Sequence, residues 1–88
     1  MLQPAYSNKV QRDTVLAKKR GKDLAKLRWV IEALLKETPL PVKYRNHKLK
    51  GEFAAYWECH LEPDWLLIYE KGETEIFFAR TGTHSDLF

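Results

Sequence analysis

Histidines stand at positions 47, 60 and 84, with Asp64 four residues beyond the second and Arg80 four residues before the third. Imidazole is the side chain whose ordinary titration falls between pH 5 and 8, so it can both give and take a proton near neutrality. A guanidinium can stabilise negative charge that grows on a reacting centre. Each residue alone also has a structural reading. An isolated histidine is more often solvated or satisfied than catalytic, Asp64 after Pro63 suits a turn, and Arg80 can pair with Glu58 or Glu75. The five come from four separate segments, so they amount to a site only if the fold gathers them.

Two other chemistries fit less well. No two histidines have the spacing of a helical ligand pair, and Cys59 stands alone, so a metal centre would need three loops to converge without any local motif. Neither a metal nor a cofactor is expected. Strand alternation sets Phe53, Ala55, Trp57, Cys59 and Leu61 on one side and Tyr56, Glu58 and His60 on the other. Cys59 therefore reads as core rather than nucleophile, with His60 on the polar face. The same rule puts Ile76, Phe78 and Arg80 together, opposite Phe77 and Ala79.

The elements that must position these residues follow from period and punctuation. Leu2 to Tyr6 suggests a short strand, confined to an edge by Pro4. Ser7 to Arg20 reads as a helix closed by Gly21 in a left-handed cap. A second helix is marked by Leu24, Leu27, Ile31, Leu34 and Leu35 on one face, and is expected to end near Thr38 because Pro39 and Pro41 cannot continue it. A basic loop from Val42 to Gly51 leads to three strands, Phe53 to Leu61, Trp65 to Tyr69 and Thr74 to Arg80. The class is α+β: one domain, residues 1–88, with an N-terminal helical hairpin packed on a twisted antiparallel sheet.

Charge narrows the partners. Fifteen Lys and Arg against 12 Asp and Glu give only +3, but Lys18, Lys19, Arg20 and Lys22 crowd one junction and Lys43, Arg45, Lys48 and Lys50 another. Two basic patches suggest a polyanion, although charge runs are also ordinary solvated surface. A lone cysteine makes no internal disulfide, and neither a membrane span nor a signal-peptide core is present, so a reducing cytoplasm is the expected setting.

Three blocks, Asn46 to Gly51, Cys59 to Tyr69 and Arg80 to Phe88, resemble in order and spacing the signature segments of YafQ-type toxins of the RelE/ParE superfamily. The resemblance runs from about Val15 to Phe88 and includes Lys19, Arg20, Lys22 and Leu24. It implies a microbial-ribonuclease-like fold whose concave sheet face holds His47, His60, Asp64, Arg80 and His84, with Phe88 beside them and Trp65 as a support or RNA contact.

The function so implied is that of a type II toxin, an endoribonuclease (mRNA interferase) that cuts A-site codons on the ribosome and so stops translation. The ribose 2'-hydroxyl would attack the adjacent phosphate without a metal. His84 would be one proton-transfer partner and His60 or Asp64 the other, with Arg80 stabilising the phosphorane and His47 orienting or sharing protons. Lys18, Lys19, Arg20, Lys22, Lys48 and Lys50 would hold RNA phosphates. The implied partners are the 70S ribosome with its mRNA and a cognate ribbon-helix-helix antitoxin, through which alone DNA would be bound. The alternatives are a ParE-like inhibitor of DNA gyrase and a noncatalytic RNA-binding module.

Overall fold

The computed structural model describes all 88 residues. Strand β1 (Gln3–Tyr6) leads into helices α1 (Asn8–Lys19) and α2 (Leu24–Leu35). Strands β2 (His47–Lys48), β3 (Trp57–Glu62), β4 (Trp65–Lys71) and β5 (Glu75–Gly82) follow, and a single helical turn, α3 (His84–Leu87), ends the chain.

Local chemistry sets the helix boundaries. Ser7 caps α1 by accepting from the Val10 amide, and Asp23 caps α2 through the Ala25 amide. Beyond α1, Gly21 adopts φ 81°, and the Gly21 and Lys22 amides return to the carbonyls of Lys18 and Ala17. This paired C-terminal closure needs a left-handed residue, which glycine supplies without strain. The same closure ends α2, with Glu37 at φ 57° and bonds from Glu37 to Leu34 and from Thr38 to Ala33. The helix therefore stops at Leu35, before the prolines and three residues short of the expected end.

The sheet order is β1-β5-β4-β3-β2. Neighbours from β2 to β5 are antiparallel, as expected, and β1 lies at an edge. The sheet is nevertheless mixed, because β1 pairs with β5 in parallel. The helical hairpin supplies the long crossover that a parallel pair requires. Strand β3 begins four residues later than alternation suggested, since Gly51–Phe53 forms a 3-10 turn, and the basic loop contains the two-residue strand β2.

Leu27, Val30, Leu34 and Leu35 of α2 and Val10 and Ala17 of α1 pack against Cys59, Leu67, Tyr69, Ile76 and Phe78. Trp65 joins them. It is 1% exposed, and its indole N–H donates to the Thr81 hydroxyl at 2.9 Å. The expectation of an RNA contact at Trp65 is thereby corrected: alternation places it on the core side of β4, where it supports the sheet from beneath.

A second correction concerns Arg80. The register pairs Ile68 with Arg80 but Tyr69 with Phe78, leaving Ala79 as an extra residue in β5. Such a bulge shifts alternation by one. Arg80 thus lies on the face opposite Phe78 and Ile76, not with them.

Candidate active site

Cross-strand partners share a face of a sheet. His47 pairs with Glu58, Glu58 with Ile68 and Ile68 with Arg80, while His60 pairs with Leu66. Three strands thus deliver two histidines, a glutamate and an arginine to the face away from the helices. Buried Leu66 and Ile68 form its apolar floor between β3 and β5.

His84 arrives from the C-terminal turn. Thr83 caps α3 by accepting from the Asp86 amide, and Asp86 returns a bond from the Thr83 amide, forming a capping box. Gly82 is needed for this fit, because a Cβ there would lie 2.9 Å from Oδ2 of Asp86. Arg20 clamps the same carboxylate, with Nη1 2.7 Å from Oδ2. The hydrogen bond from Arg20, followed by that from the Thr83 backbone, holds the Asp86 carboxyl well below its ordinary range.

The three imidazoles form a row. Ring centroids of His47 and His60 are 6.4 Å apart, and those of His60 and His84 are 5.7 Å apart. Asp64, in the β3–β4 turn, bonds His84 twice, from the backbone amide at 2.9 Å and from Nδ1 at 2.6 Å. These bonds, the backbone one first, lower the Asp64 pKa. The carboxylate accepts, so Nδ1 carries the proton and Nε2 is presented outward. At the other end Nδ1 of His47 donates to the Arg45 carbonyl at 2.6 Å, and Nε2 lies 3.0 Å from Glu58. That loop is tied down by the Tyr69 hydroxyl, which donates to Asn46 at 2.6 Å.

Sequence reasoning had not placed Glu58 in the site. Its side chain is only 9% exposed and its Oε2 lies 3.8 Å from Nε2 of His60. Its position two residues before His60 was the available signal, because period two gives both the same face. Glu58, His60 and His84 offer ligand atoms within 4.8 Å of one another. This set comes from one strand and the C-terminal turn and omits His47, and two imidazoles with a carboxylate suit a zinc- or copper-like ion.

Arg80 meets neither Glu58 nor Glu75. Its Nε and Nη2 donate to Asp13 of α1 at 2.7 and 3.2 Å. The bond to Asp13, aided by the charges of Asp13 and Asp86 against burial, raises the Arg80 pKa. Cys59 lies in the core, as alternation suggested, and burial pushes its thiol up to about 12.

The basic residues divide. Arg20 is engaged by Asp86, and Lys22 and Lys26 share Glu62. Lys18, Lys19, Lys48 and Lys50 are exposed, and none is in an ion pair. Phe88 is 61% exposed and meets Phe53, which sequence reasoning did not single out, edge to face at 5.9 Å.

A profile of the family described as "Bacterial toxin of type II toxin-antitoxin system, YafQ" matches residues 2–88. The mRNA interferase toxin YafQ of Escherichia coli strain K12 is 44% identical over 84 residues, spanning 94% of this chain and 91% of the relative. The toxin of the E. coli DinJ–YafQ toxin-antitoxin complex superposes with a TM-score of 0.92 at 42% identity, covering 99% of this chain and 97% of that one. A metal-bound toxin from Helicobacter pylori gives a TM-score of 0.94 at 42% identity over 100% of both chains. With a full-length family match, relatives above 40% identity and the same fold, the chain belongs to the YafQ family of type II toxin-antitoxin toxins.

Proposed function

We propose that this chain is an mRNA interferase, an endoribonuclease that cleaves messenger RNA in the ribosomal A site and is held inactive by a cognate antitoxin. The observation that supports this most is the row of His47, His60 and His84 on one sheet face, with a carboxylate beside each end.

In the proposed reaction one imidazole takes the proton of the ribose 2'-hydroxyl. The 2'-oxygen forms a bond to phosphorus, the bond to the 5'-oxygen breaks, and a second imidazole protonates that oxygen. The products are a 2',3'-cyclic phosphate and a 5'-hydroxyl. Each proton transfer by a placed group contributes about 10² to 10⁴ in rate. His84 is one partner, its Nε2 free because Asp64 holds Nδ1. Since Asp64 is committed to that ring, His60 is the other partner. Arg80 stabilises charge on the phosphorane, and His47 with Glu58 orients or shares protons at the far end. An ion held by Glu58, His60 and His84 would occupy the lone pairs that this proton transfer uses.

Ribosome dependence is supported by the unpaired Lys18, Lys19, Lys48 and Lys50, whose charge is available for RNA phosphates. No helix is long and apolar enough to cross a membrane, which is compatible with a cytoplasmic ribosomal target. An antitoxin partner is supported by the DinJ–YafQ complex of the E. coli relative. The test is expression of wild type and His84→Ala, followed by mapping of mRNA 5' ends. Wild type should yield in-frame cuts that vanish when the message is not translated, and His84→Ala should yield none while still binding ribosomes. Intact transcripts with blocked supercoiling by DNA gyrase would overturn the reading, as would cleavage by His84→Ala at the wild-type rate.

A further inference from the structure

We propose that Asp13, on α1, is a positioning residue for Arg80: it fixes the guanidinium that faces the scissile phosphate. This rests on the ribonuclease reading above and extends it to a residue outside the three signature blocks.

The geometry is specific. One oxygen of Asp13 accepts from Arg80 Nε at 2.7 Å and from the Thr81 backbone amide at 3.1 Å, and the other accepts from Arg80 Nη2 at 3.2 Å. The Asp13 side chain is 13% exposed. These bonds are made where β5 loses its strand partner. Strand β1 ends at Tyr6 opposite Phe78, and Ser7 takes the Phe78 and Ala79 carbonyls with its amide and hydroxyl. Past that point the edge of β5 runs along α1, and Asp13 supplies the acceptor that a neighbouring strand would have given Thr81. The bulge at Ala79 turns Arg80 onto the site face at the same step.

A side-on, two-oxygen pair with a carboxylate fixes the plane of a guanidinium, which one charge contact on a flexible stem would not do. Of the five N–H groups of arginine, two are taken by Asp13, leaving three for an anion. A phosphorane presents equatorial oxygens carrying extra negative charge, and donors already oriented toward them need no reorganisation during reaction. The bland alternative is that Asp13 merely clips α1 to β5.

The experiment is a double-mutant cycle on ribosome-programmed mRNA, with Asp13→Asn and Arg80→Ala singly and together, assayed well below each melting temperature. Misplacement of a catalytic group by about 1 Å can cost about 100-fold in rate. We expect Asp13→Asn to lower kcat about 10- to 100-fold with KM nearly unchanged, and to have no further effect once Arg80 is alanine. Equal losses in both backgrounds, or wild-type kcat in Asp13→Asn, overturn the proposal. If Asp13→Asn fails to fold, Asp13→Glu retains the charge but shifts the pair, and should show the same kcat loss that disappears without Arg80. A second readout needs no substrate: the Arg80 Nε–H resonance should exchange slowly with water in wild type and rapidly in the variant. If wild-type toxin leaves ribosome-bound mRNA intact, the ribonuclease reading fails. If wild type cleaves but the cycle shows equal losses, only the positioning claim fails.

Discussion

Nδ1 of His84 sits 2.6 Å from Oδ1 of Asp64, and the His84 backbone amide reaches the same oxygen. One carboxylate oxygen therefore fixes both the tautomer of the ring and the start of the helical turn that presents it. Asp64→Asn preserves shape but offers a neutral acceptor that can also rotate its NH₂ toward Nδ1. Cleavage should fall about 100-fold or more, within the range for loss of a placed acid–base group, while ribosome affinity stays near wild type. Single-turnover kinetics with a parallel binding assay checks this, and unchanged kinetics would leave Asp64 a turn residue only.

Four carboxyl groups have lowered pKa values in the folded state: Asp86 through Arg20, Glu62 through Lys22 and Lys26, Asp64 through His84 and Glu32 through Lys36. A lowered carboxyl pKa means that the unfolded chain takes up the proton first. The associated stability is complete above about pH 4, the ordinary carboxylate value, and is lost as pH falls through the folded-state values. Arg20→Ala should therefore melt below wild type at pH 6, and the gap should narrow on acidification toward pH 2. A gap independent of pH would show that Arg20 acts through packing.

Lys18 and Lys19 end α1, and Lys48 and Lys50 lie beside His47 at the β2 end of the candidate site, all without acidic partners. Replacing all four with alanine should weaken ribosome association more at low salt than at high salt. The slope of log affinity against log salt should shrink by about one for each lysine that meets a phosphate. An unchanged slope would mean that these side chains face solvent in the complex. Arg20→Ala should alter the slope less, since Asp86 already holds that charge.

Glu58, His60 and His84 lie close enough to share one ion. Titration with Zn²⁺ followed by calorimetry should give saturable binding of one ion per chain, and Glu58→Gln should weaken it by about tenfold or more. Under the proposed mechanism the loaded protein cleaves poorly, and a chelator restores it. Binding that ignores the Glu58 change would place the ion elsewhere.

How far the sequence reached depended on whether regular periods held. The leucine face of α2, the core side of Cys59 and the edge place of β1 all follow from period and from the missing amide of Pro4. Arg80 defeated the same arithmetic, because a bulge at Ala79 leaves no mark in a run of ordinary strand residues. Glu37 was equally invisible: a left-handed helix closure usually takes glycine, and here a glutamate adopts it. The resemblance offers Trp65 as a support or an RNA contact, and its inward-facing side chain fits the support. Asp13 bonds Arg80 across 67 residues of sequence, a contact that no local pattern encodes.

The short β1 and its handover to α1 also bear on solubility. A sheet margin with free amides and carbonyls is a template on which other chains can zip. On one side the margin is β1, only four residues long and lacking the Pro4 amide, and where β1 ends the edge of β5 is taken up by Ser7 and then by Asp13 at the Thr81 amide. The opposite margin is β2, only two residues long and bearing Lys48. Neither margin offers a long apolar ribbon, so a 10.4 kDa chain with a thin core should resist fibrillar association even at high concentration.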